Sequence, residues 1–94
     1  MSVAIDSLLV SSPEIRNGRP RIAGTGVTVH RVVSWYKLGH DAEEIARRYG
    51  HITVAQVYAA LAFYHANRTE IDADIEADAV EADRLEVTHT AQPA

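Results

Sequence analysis

Gly39, Asp41, Gly50 and Thr53 punctuate the middle of this chain and leave little freedom in how it folds there. Gly39 is a helix stop, because glycine readily takes the left-handed backbone that ends a helix. Asp41 is a helix start, and Glu44 three residues on supplies the reciprocal half of a capping box. Gly50 stops that second helix, and Thr53 with Gln56 starts a third in the same way. The apolar spacing agrees. Val29, Val32, Val33 and Tyr36 step by three and four ahead of Gly39, with Trp35 beside that face and Leu38 closing it. Ala42, Ile45, Ala46 and Tyr49 form the inner stripe of the second helix. Val54, Val57, Tyr58, Leu61, Ala62 and Tyr64 or His65 form that of the third. The pattern predicts a helix over 41–49, a short turn at Gly50-His51-Ile52 and a capped helix from Thr53, which is helix–turn–helix spacing.

The flanks are less regular. Residues 3–10 read as a short extended segment, closed by the turn residues Ser11-Ser12-Pro13. Asn17-Gly18 is a second turn signal, and Val27-Thr28-Val29 is a β-branched run. Pro20 cannot donate to a ladder, so any strand beside it is an edge strand. A small, irregular β element is expected over 7–29. After Asn67-Arg68 a fourth helix is expected from Thr69 to about Leu85, with Ile71, Ile75, Ala79, Ala82 and Leu85 on one narrow stripe. So thin a stripe holds a helix securely only when it is docked. Residues 87–94 read as a frayed end. The chain is thus mainly α and divides into a β element plus helix–turn–helix over 1–68 and an acidic helix and tail over 69–94.

Charge follows that division. Residues 1–68 hold eight basic and five acidic side chains, a net +3, and residues 69–94 hold one basic and eight acidic, a net −7. A basic body suits a polyanion, and an acidic tail suits a basic partner. The chain has no cysteine, which excludes disulfides, thiol catalysis and cysteine-based metal sites. No run approaches the roughly 20 apolar residues of a membrane span. Met1 to Asp6 shows no secretory pattern, so the expected location is the cytoplasm.

Little here suggests catalysis. The five histidines are scattered, and none has a partner at the spacing that sets two imidazoles on one helix face. Gly24-Thr25-Gly26 lacks the lysine of a phosphate loop. The chain is expected not to be an enzyme, and no cofactor is implied. The better signal is nucleic-acid binding. In a DNA-reading helix–turn–helix the start of the second helix meets base edges, which puts Thr53, Ala55 and Gln56 forward, with Ala59 one turn on. Arg47 and Arg48 precede the turn, and Arg19, Arg21 and Arg31 are further candidates for phosphates. The same pieces also have plain structural uses. Thr53 and Gln56 cap a helix, Arg47 and Arg48 complement a helix dipole, and the aromatic residues suit a core or dimer contact.

Several separated motifs occur in order. Ser12-Pro13-Glu14-Ile15 leads into Gly18-Arg19-Pro20-Arg21-Ile22 and Gly24-Thr25, followed by Val29, Val32-Val33, Gly39, Glu43-Glu44-Ile45-Ala46, Tyr49 and Thr53. The run Gln56 to Tyr64, then Asn67-Arg68, Glu70-Ile71-Asp72 and Ile75, completes the set. Over about residues 8–76 the chain resembles the domain of unknown function 433 family. The resemblance implies a homeodomain-like helix–turn–helix with a short N-terminal β region. It also implies an antitoxin of a VapBC-like type II system, which silences a PIN-like ribonuclease toxin and binds operator DNA. Two positions depart from the family pattern: Gly26 stands where an arginine is common, and Gly50 where a proline is common.

On that reading the acidic helix covers the toxin's basic RNA path, with Ile71, Asp72, Asp74, Ile75, Asp78, Ala79, Ala82 and Leu85 as the toxin-binding residues. Cutting the chain after Arg68 is then expected to abolish toxin binding and leave the body folded. A homodimer is expected, because two half-sites raise the affinity of so small a reader. The rival readings are a protein-interaction module that binds no DNA and a stand-alone DNA-binding regulator.

Overall fold

The computed structural model describes residues 2–91. Its elements in chain order are strand β1 (Leu9–Val10), strand β2 (Arg21–Ile22) and helices α1 (Val29–Lys37), α2 (Ala42–Tyr49), α3 (Val54–Ala66) and α4 (Arg68–Ala91). Short 3-10 turns at Ile5–Ser7 and Arg16–Gly18 precede and separate the strands. The fold is mainly helical with a small two-stranded sheet, as expected.

Each helix starts where its capping chemistry requires. Asp41 accepts from the Glu44 amide at 2.9 Å, and Thr53 accepts from the Gln56 amide at 3.1 Å. Both reciprocal bonds are made, so both capping boxes are complete. Thr28 caps α1 in the simpler way, accepting from the Arg31 amide at 3.1 Å. Gly50 ends α2 at φ +76°, a conformation that a side chain would strain.

Helix α3 is the centre of the molecule, packed on α1, α2, α4 and both strands. The core holds Ile22, Val29, Val32, Val33, Ile45 and Val57, all fully buried, joined by Ala42, Ala46, Ile52, Ala60, Leu61, Tyr64 and Ile71. Burial of this apolar set is the main force holding three short helices together. Four expected core positions are corrected. Leu38 is 73% exposed and Tyr58 is 58% exposed, and Tyr36 at the end of α1 and Ala62 are exposed as well. The inner face of α3 runs through Val57, Ala60, Leu61 and Tyr64, which turns Tyr58 and Ala62 to the outside. Leu38 lies beyond the last turn of α1, past the reach of the core.

The irregular β element pairs antiparallel, Leu9 with Ile22 and Val10 with Arg21. Residues 3–10 are only partly extended, because the Ile5–Ser7 turn interrupts them. Pro20 lies outside the strands and serves as an acceptor: its carbonyl takes the Val29 amide at 2.9 Å. The β2–α1 turn is tied by Thr25, whose hydroxyl donates to the Ile22 carbonyl and accepts from the Val27 amide.

Helix α4 is longer than expected. It starts at Arg68 and is continuous through Ala91, so most of the expected frayed end is helix, and residues 92–94 lie outside the described residues. Its 24 residues span roughly 36 Å at about 1.5 Å per residue. The molecule accordingly measures 60 × 28 × 25 Å.

Candidate functional site

Three arginines converge on one groove. Its walls are the Arg16–Arg19 turn, the start of α1 at Thr28 and Arg31, the α2–α3 turn at Tyr49 and His51, and Ile75, Asp78 and Ala79 of α4. The groove is open and holds about 1000 Å³. Arg16, Arg19 and Arg31 line it with His30 and His51, and Asp78 is the one carboxylate among its lining residues. Arg19 forks onto Asp78, with bonds of 2.8 and 3.2 Å to the two carboxylate oxygens. That hydrogen bond holds the Asp78 carboxyl below its usual range and raises the guanidinium's own value.

The other expected cations lie differently. Arg31 is exposed on α1 at the groove. Arg47 and Arg48 are exposed in the last turn of α2, outside the groove lining, with the Arg48 guanidinium 4.6 Å above the Trp35 ring. Arg21 is half-buried: its Nε donates to the Thr25 carbonyl at 3.1 Å, which binds it to its own turn. Thr53 and Ala55 are exposed at the start of α3, whereas Ala59, expected to face outward with them, is buried. Gln56 spends its side-chain oxygen on the Thr53 amide at 2.8 Å, so only its NH₂ remains to meet a base.

Sequence reasoning passed over Arg16 and His51. The signal for Arg16 was the Asn17-Gly18 turn, which fixes where the preceding side chain goes. The His51 Nδ1 lies 2.9 Å from the Tyr49 carbonyl, which can only accept, so Nδ1 carries the proton and Nε2 is left free.

Helix α4 divides into a docked half and an exposed half. In the first, Ile71 is 3% exposed and belongs to the core, and Ile75 packs against it. Asp72 takes the Lys37 ammonium at 2.7 Å and the Tyr64 hydroxyl at 2.8 Å. Asp74 meets the His30 Nε2 at 2.9 Å. Five of the expected toxin-binding residues, Ile71, Asp72, Asp74, Ile75 and Asp78, thus contact this chain's own body. The second half carries Ala79, Ala82 and Leu85, all exposed, together with exposed Val80.

The docked half carries an acid-sensitive latch. Lys37 and then Tyr64 hold Asp72 below its usual value, as Arg19 does Asp78. The stability these carboxylates contribute is fully present above the ordinary aspartate value of 3.8 and is lost as pH falls through their lowered values. The protection of the amides over 68–79, taken relative to the unfolded chain at the same pH, is therefore expected to fall as pH drops below the ordinary aspartate value. In the Asp72→Asn, Asp78→Asn double variant that acid step should vanish, because neither site titrates.

Among the described residues no group of three or more His, Asp or Glu is placed to hold a metal ion, and no helix is long and apolar enough to cross a membrane. No curated protein matches this chain. A solved structure is similar: the crystal structure of a DUF433 member protein from Anabaena variabilis ATCC 29413. It shares 25% identity and a TM-score of 0.69, covering 77% of this chain and 71% of that one. The family described as "Protein of unknown function (DUF433)" matches residues 9–64, which run from β1 to the end of the core face of α3. That match takes in more than half of the chain, and the protein belongs to the DUF433 family.

Proposed function

We propose that this protein is an antitoxin-type regulator. Its body, a homeodomain-like helix–turn–helix acting as a homodimer, binds duplex operator DNA. Its acidic helix binds and silences a PIN-like ribonuclease toxin in the cytoplasm. The role is one of binding, with no catalysis and no cofactor. The observation that carries the reading is a two-ended arrangement of charge. Arg16, Arg19 and Arg31 line a groove beside the α2–α3 turn, with Arg47 and Arg48 exposed at the end of α2. From that body projects a helix whose outer half bears Val80 and Leu85, 61% and 58% exposed, among the acidic residues Glu81 and Asp83. A phosphate backbone suits the first end, and a cationic RNA path with an apolar rim suits the second.

One experiment tests each end. Co-expression with the product of the adjacent reading frame is expected to yield a complex with a small ribonuclease, silent until separated. Recovery of this chain alone overturns the toxin half of the proposal. For DNA, the affinity for a duplex from the operon's own promoter should fall steeply with salt, by about 0.9 in the log–log slope per phosphate neutralised. Arg47→Ala with Arg48→Ala should flatten that slope by about 2.

A specific observation favours a second reading, a protein-interaction module without DNA binding. Helix α3 has no Asp, Glu, Lys or Arg from Val54 to Ala66, and its outer face presents Ala55, Tyr58 and Ala62. A helix apolar on both sides suits burial against a partner better than a seat in the major groove. Duplex affinity that is weak and insensitive to salt would decide for this reading.

A further inference from the structure

The groove beside α1 is built more specifically than a diffuse basic surface. Arg16 and Asn17 both have left-handed backbone, at φ 52° and 57°, and Gly18 follows at 77°. Side-chain-bearing residues rarely adopt that conformation, and two in succession mark a turn held for a purpose other than ease of folding. Its effect is to carry the Arg16 side chain across the groove onto Gly26. The Arg16 Nη2 and Nε lie 3.4 and 3.9 Å from where a Cβ at residue 26 would stand. A Cβ there would only touch the guanidinium, so the space that Arg16 uses is lost to a branched side chain at 26 and not to a methyl group.

The charges there are also uncompensated. Among the described residues neither Arg16 nor Arg31 forms an ion pair, whereas Arg19, Lys37, Arg68 and Arg84 each have a carboxylate. His30 also lines the groove. Its side chain is 7% exposed, its Nε2 is held by Asp74, and its buried Nδ1 has no partner. A buried nitrogen without a partner in the chain is uncommon and calls for an explanation.

We infer that this groove is a binding site for a phosphate ester, with Arg16 and Arg31 as its two free cations and Arg19, shared with Asp78, as a third. A carboxylate ligand has two oxygens in one plane, which a single guanidinium satisfies. Guanidinium groups brought in from a turn and from a helix on different walls suit a tetrahedral anion with oxygens in several directions. The groove is much larger than one phosphate. Val27, Tyr49, Ile75 and Ala79 give it an apolar stretch for the organic part of an ester, and Asn17, Thr28, Ser34 and His51 add polar groups. A nucleoside phosphate and the backbone of duplex DNA share this chemistry, and the probes below separate the two sources.

The test measures binding of three probes to the full chain by calorimetry: inorganic phosphate, a nucleoside 5′-monophosphate and a short DNA duplex of arbitrary sequence. Arg16→Ala and Arg31→Ala are each expected to weaken the bound probe about tenfold, the loss of a charge-assisted contact. Gly26→Val should weaken it by a similar factor without changing net charge, because its branches take the place of the Arg16 guanidinium. Arg84→Ala removes an equal charge far along α4 and should change affinity less than about twofold. A thermal melt of each variant checks that it is folded, and Arg31→Ala, on an exposed helix face, keeps the test sound if Gly26→Val is not. Monophosphate binding with this pattern identifies a small ester as the ligand, and duplex binding alone with this pattern identifies the nucleic-acid backbone. No binding of any probe overturns the inference. So does a loss in Arg84→Ala equal to that in Arg16→Ala, which would report only net charge.

Discussion

Ending the chain after Arg68 should destabilise the whole body, whereas ending it after Ala79 should leave it nearly as stable as the full chain. The difference lies in Ile71, which is 3% exposed and part of the core although it belongs to the acidic helix. Losing a buried isoleucine with its helix removes its transfer energy and bares the core beneath it, at a cost of about 2–5 kcal/mol. Half-buried Ile75 and the Tyr64 to Asp72 hydrogen bond add to that loss. A domain of this size has a net stability at the lower end of about 5–15 kcal/mol, so the shorter truncation should melt far earlier or fail to fold. The longer one keeps Ile71, Asp72, Asp74, Ile75 and Asp78 and removes only residues past the last docking contact. Chemical unfolding of the two truncations against the full chain checks this. Equal midpoints for both would mean that α4 contributes nothing to the body. The cut suited to testing toxin binding is therefore the one after Ala79, not the one after Arg68.

Ile45→Ala should cost about 2–5 kcal/mol, the range for a fully buried isoleucine cut back to alanine. Ile45 is fully buried on α2 and packs into the same core as Val29, Val32 and Val57. It is the main anchor of a helix whose other buried residues, Ala42 and Ala46, are small. Its loss should free α2 and with it the α2–α3 turn, so nucleic-acid affinity should fall along with the melting temperature. Leu38→Ala is the matched control: an aliphatic truncation at a position 73% exposed should change stability by less than about 0.5 kcal/mol. A comparable loss from both would contradict the burial pattern.

The helices were legible because their boundaries are local chemistry. Asp41 with Glu44 and Thr53 with Gln56 form hydrogen bonds within one turn of the chain, and no distant residue alters them. Which face of α3 is buried was legible only in part. Its sequence is apolar nearly all round, so periodicity could not separate Ala60 from Ala62 or Leu61 from Tyr58. The packing of α1 and α2 made that choice. Thr28 as the cap of α1 was passed over because Val27 and Val29 on either side read as strand. In the site, the basic character of the body was plain from counting, but the convergence of Arg16, Arg19 and Arg31 is tertiary. It depends on a left-handed turn and on Gly26 across the groove. The docking of α4 was likewise hidden. Asp72, Asp74 and Asp78 look alike in a run of carboxylates, and only their partners Lys37, His30 and Arg19, far away in the chain, set them apart.

Helix α4 has neither glycine nor proline from Arg68 to Ala91, so it is a stiff rod with its root in the core. One of its carboxylates grips an arginine of the groove, and its far end stands clear of the body. A stiff rod turns a load at its tip into a force at its root. A ligand on the Val80 and Leu85 end that opened the Asp78 to Arg19 fork would leave Arg19 freer for an anion. By thermodynamic reciprocity an anion on Arg19 would then favour that ligand by the same factor, which ties the tip to the groove through one ion pair.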